Sequence, residues 1–402
     1  MLTSVTLQNF FSFCSKASVP LSPAMNVLVG INGSGKSNFI KALRLLYEGI
    51  SGDGLRNLIQ LEWGGYDQIT HARAGSTGVI SLTFRFRPRL DNSTQNNGHS
   101  PVYAIRLQPQ ADGTFTVSER ITFSQTNGTE ELFFESRAGE GLIRNPGGGL
   151  VSLTPETGNR AEPARMELRF RALPPESMHP MLVSLRQAIR QFSFYGFFNT
   201  SYSSRARLPA LPAGHYGERL AFDGRNMSQV LHSIRGYHPD VFQELVSFLR
   251  RISPNLRELL FSESKRGVSL RLLEKNLNHS VSVRHISDGT LRYLLYLAIF
   301  LNPARGLAVC LDEPESGLHP DMLHTLSEAM THAVQDGTQL IIATHSPLLL
   351  NSFELDDLLV FDKSPENETL VKTVNGDDLS EITGLSLPGQ LWLSGYLGGK
   401  RW

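Results

Sequence analysis

The chain has 402 residues, with 38 Lys+Arg against 38 Asp+Glu and a formal net charge of zero. That balance excludes a protein that coats nucleic acid by bulk charge alone, and 40% hydrophobic content with 22 Phe, 10 Tyr and 3 Trp excludes a disordered chain. The two cysteines, Cys14 and Cys310, exclude a disulfide scaffold or a Cys-rich zinc site and point to a reducing compartment.

A length prior of about 150 residues per domain gives two or three units. The N-terminus, MLTSVTLQNFFSF, has no basic region followed by a continuous apolar run, so it is not expected to be a signal peptide. Residues 2–8 and 25–30 alternate or run apolar, as strands do, and a Gly-rich turn follows. Phe39 to Tyr47 then carries a helical pattern. Between about 79 and 136, short β-rich runs alternate with Asn/Gly/Asp clusters, which predicts an antiparallel sheet of hairpins. Residues 138–163 are rich in Gly, Pro, Asn and Glu and read as a loop, and 200–217 read as irregular. Periodic apolar runs predict helices at 180–192 and 240–252. From 289 the rhythm becomes helix, strand (306–312), helix (320–334), strand (338–343), the pattern of a parallel α/β core. The longest apolar stretch, Leu291 to Leu301, is interrupted by Arg292 and falls short of the roughly 20 residues of a bilayer span. The chain is expected to be soluble and cytoplasmic, with no membrane partner. There is no internal repeat and no heptad array long enough for a coiled-coil arm.

Residues 30–37 read Gly-Ile-Asn-Gly-Ser-Gly-Lys-Ser, which fits G-x-x-x-x-G-K-[ST] between a strand and a helix. Gly33 and Gly35 let backbone N–H groups approach an anion without a Cβ in the way, and the helix N-terminus favours the same charge. Asn32, Gly33, Ser34, Gly35, Lys36, Ser37 and Asn38 are therefore the candidate nucleotide-binding residues. Lys36 reaches the β- and γ-phosphates of ATP, and Ser37 places its hydroxyl on Mg²⁺. Residues 308–313, Ala-Val-Cys-Leu-Asp-Glu, describe a buried strand delivering two carboxylates to the edge where α/β sheets place ligands. Asp312 is the candidate Mg²⁺ ligand, and Glu313 the residue that orients and polarises water. Residues 341–347, Ile-Ile-Ala-Thr-His-Ser-Pro, end a second apolar strand on His345, which can hydrogen-bond a γ-phosphate or the water. Residues 285–292 place Ser287, Asp288 and Gly289 at the start of an apolar helix, with Ser287 as its cap. The last three motifs, taken singly, also fit an acidic strand end, a structural histidine and an ordinary helix cap. Their order and spacing favour one site.

The set resembles the ABC-type ATPase head. GINGSGKS is similar to its Walker A motif, ISDGT to its signature, LAVCLDEP to its Walker B, ESGLHP to its D-loop and ATHSP to its switch-histidine loop. Within that class the opening LQNFFSF, with DEPESGLHP and ATHSP, resembles the RecF/SMC/OLD-like group, the bacterial AAA family ATPases, more than transporter heads. LAFDGRNMSQVL (220–231) and the ending LWLSGYLGG are similar to RecF-like predicted ATPases. The resemblance implies an α/β P-loop NTPase head with a mixed central sheet, an antiparallel β subdomain and a helical lobe. The expected division is 1–163 for the half carrying Walker A and the β subdomain, 164–284 for a basic, mainly helical lobe, and 285–402 for the half carrying the other motifs. It further implies a homodimer, or a larger homo-oligomer, sandwiching two ATP molecules. Ser287 and Gly289 of one subunit then complete the γ-phosphate site of the other, with Glu313 as catalytic base and His345 as γ-phosphate sensor. Two features depart from the pattern. No Q-loop glutamine is placed securely, Gln68 being one option and a plain surface residue the other. Asp288 stands where the signature usually has a second small residue, a replacement common in SMC-like heads, and it puts a carboxylate near ATP.

The group's output is DNA-related work, in repair, maintenance or anti-phage defence, so DNA is a candidate partner. Residues 164–275 hold 17 Lys/Arg and 9 Asp/Glu, giving +8, whereas 276–402 hold 7 and 16, giving −9, and 1–163 give +1. Arg186, Arg190, Arg205, Arg207, Arg250, Arg251, Lys265 and Arg266 are the candidate phosphate contacts. The alternative is that they pair with the acidic C-terminal third, and Arg205 or Arg207 can also serve the nucleotide or the partner head. OLD-type proteins carry a C-terminal Toprim nuclease, and the 57 residues after His345 are expected to be too few for one. A separately encoded nuclease or toxin, held by this chain as an ATPase scaffold, is therefore the second functional reading. A transporter subunit is a third, disfavoured by the signature and D-loop. The acid pairs Asp356/Asp357 and Asp377/Asp378 read as solvated turns.

Overall fold

The computed structural model describes residues 1–73, 78–87, 100–124, 129–137, 140–153, 164–210, 218–374 and 387–398. Strands β1 (Leu2–Gln8), β2 (Ala17–Pro20) and β3 (Met25–Val29) lead into helix α1 (Lys36–Ile50). Strands β4 (Ile80–Phe86), β5 (Ser100–Pro109), β6 (Phe115–Ser124), β7 (Glu130–Arg137), β8 (Glu140–Arg144) and β9 (Leu150–Leu153) follow. Next come α2 (Pro180–Arg190), β10 (Phe192–Tyr195), α3 (Met227–Tyr237) and α4 (Pro239–Ile252). They precede β11 (Leu256–Ser264), β12 (Gly267–Glu274) and β13 (Val281–Ser282). Then follow α5 (Asp288–Phe300), β14 (Ala308–Asp312), α6 (Pro320–Gln335), β15 (Gln339–Thr344), β16 (Leu358–Lys363) and β17 (Thr369–Thr373).

The sheet that positions the site has the order β10-β14-β15-β3-β16-β17, parallel throughout except for β17 at one edge. Strands β3 and β15 are buried along their whole length, which is why they read as mainly apolar runs rather than as alternation, with the buried amides of Asn26 and Gln339 hydrogen-bonded to backbone carbonyls. Successive side chains still point to opposite faces. Leu28, Cys310, Ile341 and Ala343 enter one core, shared with Phe39, Leu43 and Leu46 of α1 and with the large antiparallel sheet. Val27, Val29, Val309, Leu311 and Ile342 enter a second core with α5 and α6. Helix α5 is buried from Leu291 to Phe300, as expected of a helix apolar all round. The mixed α/β head that the motifs implied is thus the observed fold. The antiparallel β subdomain is an eight-stranded sheet of order β2-β1-β4-β5-β6-β7-β8-β9.

Three details differ from the sequence reading. The segment 138–163, expected to be a loop, forms β8 and β9 in its described part. Its Asn/Pro/Gly cluster is the tight turn between them, closed by Asn145 N–H to the Gly149 carbonyl (2.9 Å), with Gly148 at φ +84°. The strands went unseen because β9 is exposed and gains its order from pairing with β8 rather than from burial. The first helix runs three residues beyond its periodic stretch at each end. The irregular segment 200–217 holds a 3₁₀ turn, Arg205–Arg207, and an Ala210–Val268 bridge, and its residues 211–217 lie outside the described ones. Within 164–284, β10 joins the central sheet and β11–β13 form a separate three-stranded sheet beside the helices. Asp356 and Asp357 lie in a short 3₁₀ turn with a capping box to Glu354, and Asp377 and Asp378 lie outside the described residues.

Candidate functional site

The turn after β3 carries Gly33 and Gly35 at φ +80° and +109°, a region that penalises any side chain. A Cβ on Gly35 would lie 2.2 Å from Thr369 Oγ1 and 2.8 Å from Ser12 Oγ. These two residues brace the turn from behind. The Thr369 hydroxyl donates to the Ser34 carbonyl (2.8 Å) and sits 2.7 Å from Ser12 Oγ, which also accepts from Asn38 Nδ2 (2.8 Å). Lys36 is buried, and its Nζ donates to the carbonyls of Gly30 (2.6 Å) and Ile31 (3.1 Å). Burial lowers its pKa, and the carboxylates of Asp312, Glu313 and Glu315 oppose that shift. Ser34 Oγ is buried without a partner, while Asn32 and Gly33 are exposed at the mouth with open space beside Gly33. A concave run of backbone amides, a helix N-terminus and a buried ammonium suit a polyphosphate.

Strand pairing brings the remaining motif residues to the same edge. Asp312 is opposite Ala343, and Thr344 is opposite Val29, so the ends of β14, β15 and β3 are adjacent. Burial raises the Asp312 pKa, against a hydrogen bond from Ser37 and the charges of Lys36 and Lys41. A Ser hydroxyl beside a carboxylate is a hard-oxygen pair, the donor chemistry that fits Mg²⁺. Glu313 holds φ +51°, a left-handed conformation that costs about 1–3 kcal/mol in a non-Gly residue. Its N–H donates to the Ala343 carbonyl (2.9 Å), extending the ladder one residue past Asp312 and fixing that conformation. His345 Nδ1 lies 3.3 Å from Glu313 Oε1 and 3.7 Å from Glu315 Oε1.

Glu315 is a residue the sequence reading did not single out. Its side chain is 9% exposed, and Oε1 accepts from Thr344 Oγ1 (2.6 Å) and from the His345 N–H (3.1 Å). It thereby ties the turn after β14 to the turn after β15. Its place in DEPESGLHP was the available signal. Thr369 gave none, because it braces the cradle from more than 300 positions away. Gln68 is exposed on the short helix Tyr66–Ile69.

The signature residues stand apart from this cluster. Ser287 caps α5, accepting from the Thr290 N–H (3.1 Å), and both Ser287 and Asp288 are exposed. Among the described residues, no hydrogen bond or ion pair joins 287–289 to the cradle of the same chain. Arg292, in the first turns of α5, donates to the carbonyls of Gly317 (2.8 Å) and Phe198 (3.2 Å) and to Thr200 Oγ1 (3.0 Å). Its guanidinium lies 4.6 Å from the centre of the Phe197 ring. The turn after β14 is therefore also tied to the signature helix.

The basic segment is not one groove. Arg186 and Arg207 are buried and donate to backbone carbonyls, Arg186 to Leu173 (2.5 Å) and Arg207 to several, which corrects their assignment as phosphate contacts. An Arg head can be buried when its N–H fork is satisfied, and sequence alone does not show which forks are. Arg251 pairs with Glu328 of the acidic third, and Arg250 donates to the Arg257 carbonyl. Arg190, Arg205, Arg250, Lys265 and Arg266 remain exposed. No helix among the described residues is long and apolar enough to cross a membrane.

Comparison with known proteins agrees with the fold. Residues 171–351 match the family model described as "AAA domain, putative AbiEii toxin, Type IV TA system", and residues 1–116 match one described as "AAA ATPase domain". The chain is 25% identical over 400 residues to the Old nuclease of Escherichia phage P2, covering 96% of this chain. It spans 63% of that relative's length. Its fold is similar to the SmcHead bound to the C-winged helix domain of ScpA (TM-score 0.54, 14% identity, 95% of this chain and 99% of that one). It is also similar to an Smc head domain with an extended coiled coil bound to the C-terminal domain of ScpA from Pyrococcus furiosus (TM-score 0.52, 12% identity, 95% and 98%).

Proposed function

We propose that this OLD/SMC-like ATPase domain binds ATP, pairs with a second copy head to tail around two nucleotides, and couples hydrolysis to DNA-related work. The observation that carries this reading is the convergence of Lys36, Ser37, Asp312, Glu313 and His345 on adjacent strand ends. The backbone amides of Gly33 to Ser37 hold the phosphates, and Lys36 pairs with the β- and γ-phosphates. Mg²⁺, when held by Ser37 and Asp312, neutralises charge on the phosphate oxygens. Glu313 Oε1 orients water in line with the γ-phosphate and takes its proton. His345, 3.3 Å from that oxygen, hydrogen-bonds the γ-phosphate and so links its presence to the position of the base. Ser287 and Gly289 point a capped helix N-terminus outward, where a partner's γ-phosphate is the fitting anion.

Phosphate release tests the chemistry. Glu313→Gln is expected to lower turnover by about 10²-fold or more while nucleotide binding is kept. Turnover close to wild type in that variant would remove Glu313 from the role. The DNA side is supported by the exposed cations Arg190, Arg205, Arg250, Lys265 and Arg266, and by the similarity to a protein named a nuclease. Reversing Arg205, Arg250, Lys265 and Arg266 to Glu is expected to weaken DNA binding and flatten its salt dependence. Unchanged salt-sensitive binding would sink the assignment. A regulatory second reading, in which the head restrains a separately encoded effector, is favoured by the toxin–antitoxin description of the model matched at 171–351. Copurification of a nuclease or toxin with unaltered DNA affinity would select it.

A further inference from the structure

Arg207 lies outside every recognised motif, yet its guanidinium is 4% exposed and is turned toward the approach to the signature loop. Nε donates to the Thr200 carbonyl (2.9 Å). Nη1 faces the carbonyls of Val283 (3.0 Å), Arg284 (3.1 Å) and Ile286 (2.9 Å). Nη2 meets Asp288 Oδ1 (2.5 Å). Three of these four carbonyls belong to the stretch just before Ser287. That stretch has only the short 3₁₀ turn Val283–His285, followed by Ile286 and Ser287 in extended conformations. The cap of α5 holds Ser287 to its own helix, through the N–H groups of Thr290 and Leu291, while the path from Val283 to Ile286 leaves three carbonyls to be met by Arg207. A rigid, always-charged fork adds a second constraint, because the two Nη1 N–H groups serve the three carbonyls of Val283, Arg284 and Ile286 only if these hold their present arrangement.

The Asp288 contact adds a second effect. This carboxylate is 64% exposed and begins the helix that Ser287 caps, so unpaired it would repel a polyphosphate arriving there. Arg207 supplies the opposite charge from the buried side. The acid in the signature and the buried arginine of the basic segment are therefore partners of each other.

We infer that Arg207 is a positioning residue for the signature loop: it sets the path from Val283 to Gly289 and cancels the Asp288 charge, so that the loop accepts the γ-phosphate bound by the other subunit. The inference rests on the head-to-tail reading above. It places the effect of Arg207 in trans, on the partner's nucleotide and not on its own.

Mixing variants of the full chain tests this. Arg207→Ala and Lys36→Ala are each expected to turn over ATP at under about a tenth of the wild-type rate, while Arg207→Ala still binds a fluorescent ATP analogue within about threefold of wild type. A 1:1 mixture of the two is expected to recover toward about a quarter of wild-type turnover, since half of the dimers are mixed and each holds one intact site. Adding Asp288→Asn to Arg207→Ala removes the uncancelled charge and is expected to restore turnover several-fold over the single variant. Arg207→Lys keeps the charge without the fork, and it serves in the same mixing test if the alanine variant does not fold. A mixture of Ser287→Arg with Lys36→Ala is the control for the sandwich itself. Recovery in the control without recovery in either Arg207 mixture would overturn the role of Arg207, as would wild-type turnover in Arg207→Ala. Silence in the control as well would overturn the head-to-tail reading, and this inference with it.

Discussion

The phosphate cradle around Lys36 and the signature loop around Ser287 belong to one chain, yet they are built for opposite surroundings. The cradle is braced from behind by Ser12 and Thr369, its lysine is buried, and its carboxylates come from strands locked in register. The signature loop has its bracing inside, through Arg207 and Arg292, and leaves Ser287 and Asp288 exposed. The first offers a buried ammonium and backbone amides to an anion within one chain. The second is an exposed, capped helix N-terminus that, among the described residues, no hydrogen bond or ion pair joins to the cradle of its own chain. Two such halves on one molecule, not joined to each other among the described residues, are what the proposed head-to-tail pair rests on.

Substitutions in the two halves should separate binding from turnover. The largest effect is expected from Lys36→Ala, which removes the buried ammonium. Nucleotide affinity should fall by about 10²-fold in a fluorescence titration, consistent with the loss of a charge-assisted contact. Ser287→Arg should leave that affinity within about threefold and lower turnover more than tenfold. A matching loss of affinity in both variants would break the comparison. Thr369→Val removes only the hydroxyl bracing the cradle. A lost hydrogen bond of about 1 kcal/mol predicts roughly fivefold weaker nucleotide binding with the fold retained. An effect on dimer formation without one on binding would mean that Thr369 serves the other half.

Outside both halves lies the buried Glu119, which accepts from Tyr103 and from the N–H groups of Arg169 and Phe170. Burial raises its pKa to about 7. A carboxyl raised in the folded state contributes stability at low pH that is lost as pH climbs through 7. Thermal unfolding between pH 5 and 8 should therefore show a falling stability worth on the order of 2–3 kcal/mol, and Glu119→Gln should flatten it. Turnover per folded molecule should not change. The smallest effect is expected for Arg251→Ala. Its partner Glu328 is half-exposed, and such pairs are worth about 1 kcal/mol or less.

Much of this was legible in the sequence because the parallel core writes itself in local runs. MNVLVG, AVCLD and QLIIAT are mainly apolar and lead directly into the residues that matter. A strand buried on both faces has no other way to read, and the ligand edge follows from where it ends. The bracing was not legible. Ser12, Thr369 and Arg207 act through contacts distant in the chain, and hydroxyls and arginines carry no mark of whether their partner is water, DNA or a carbonyl. Arg207 shows this most clearly. Its charge placed it in a basic, aromatic neighbourhood, whereas its guanidinium is buried against the carbonyls of Val283, Arg284 and Ile286 and the carboxylate of Asp288. The whole-chain neutrality hides the same lesson, since part of the basic middle is spent internally, Arg207 on Asp288 and Arg251 on Glu328.

The most direct test of the account is the oligomeric state of Glu313→Gln, measured by size-exclusion chromatography with light scattering in the presence and absence of ATP and Mg²⁺. A larger mass is expected with ATP, at least a dimer, that reverts without nucleotide and is abolished by adding Lys36→Ala. A mass that does not respond to ATP in the Glu313→Gln protein would contradict it.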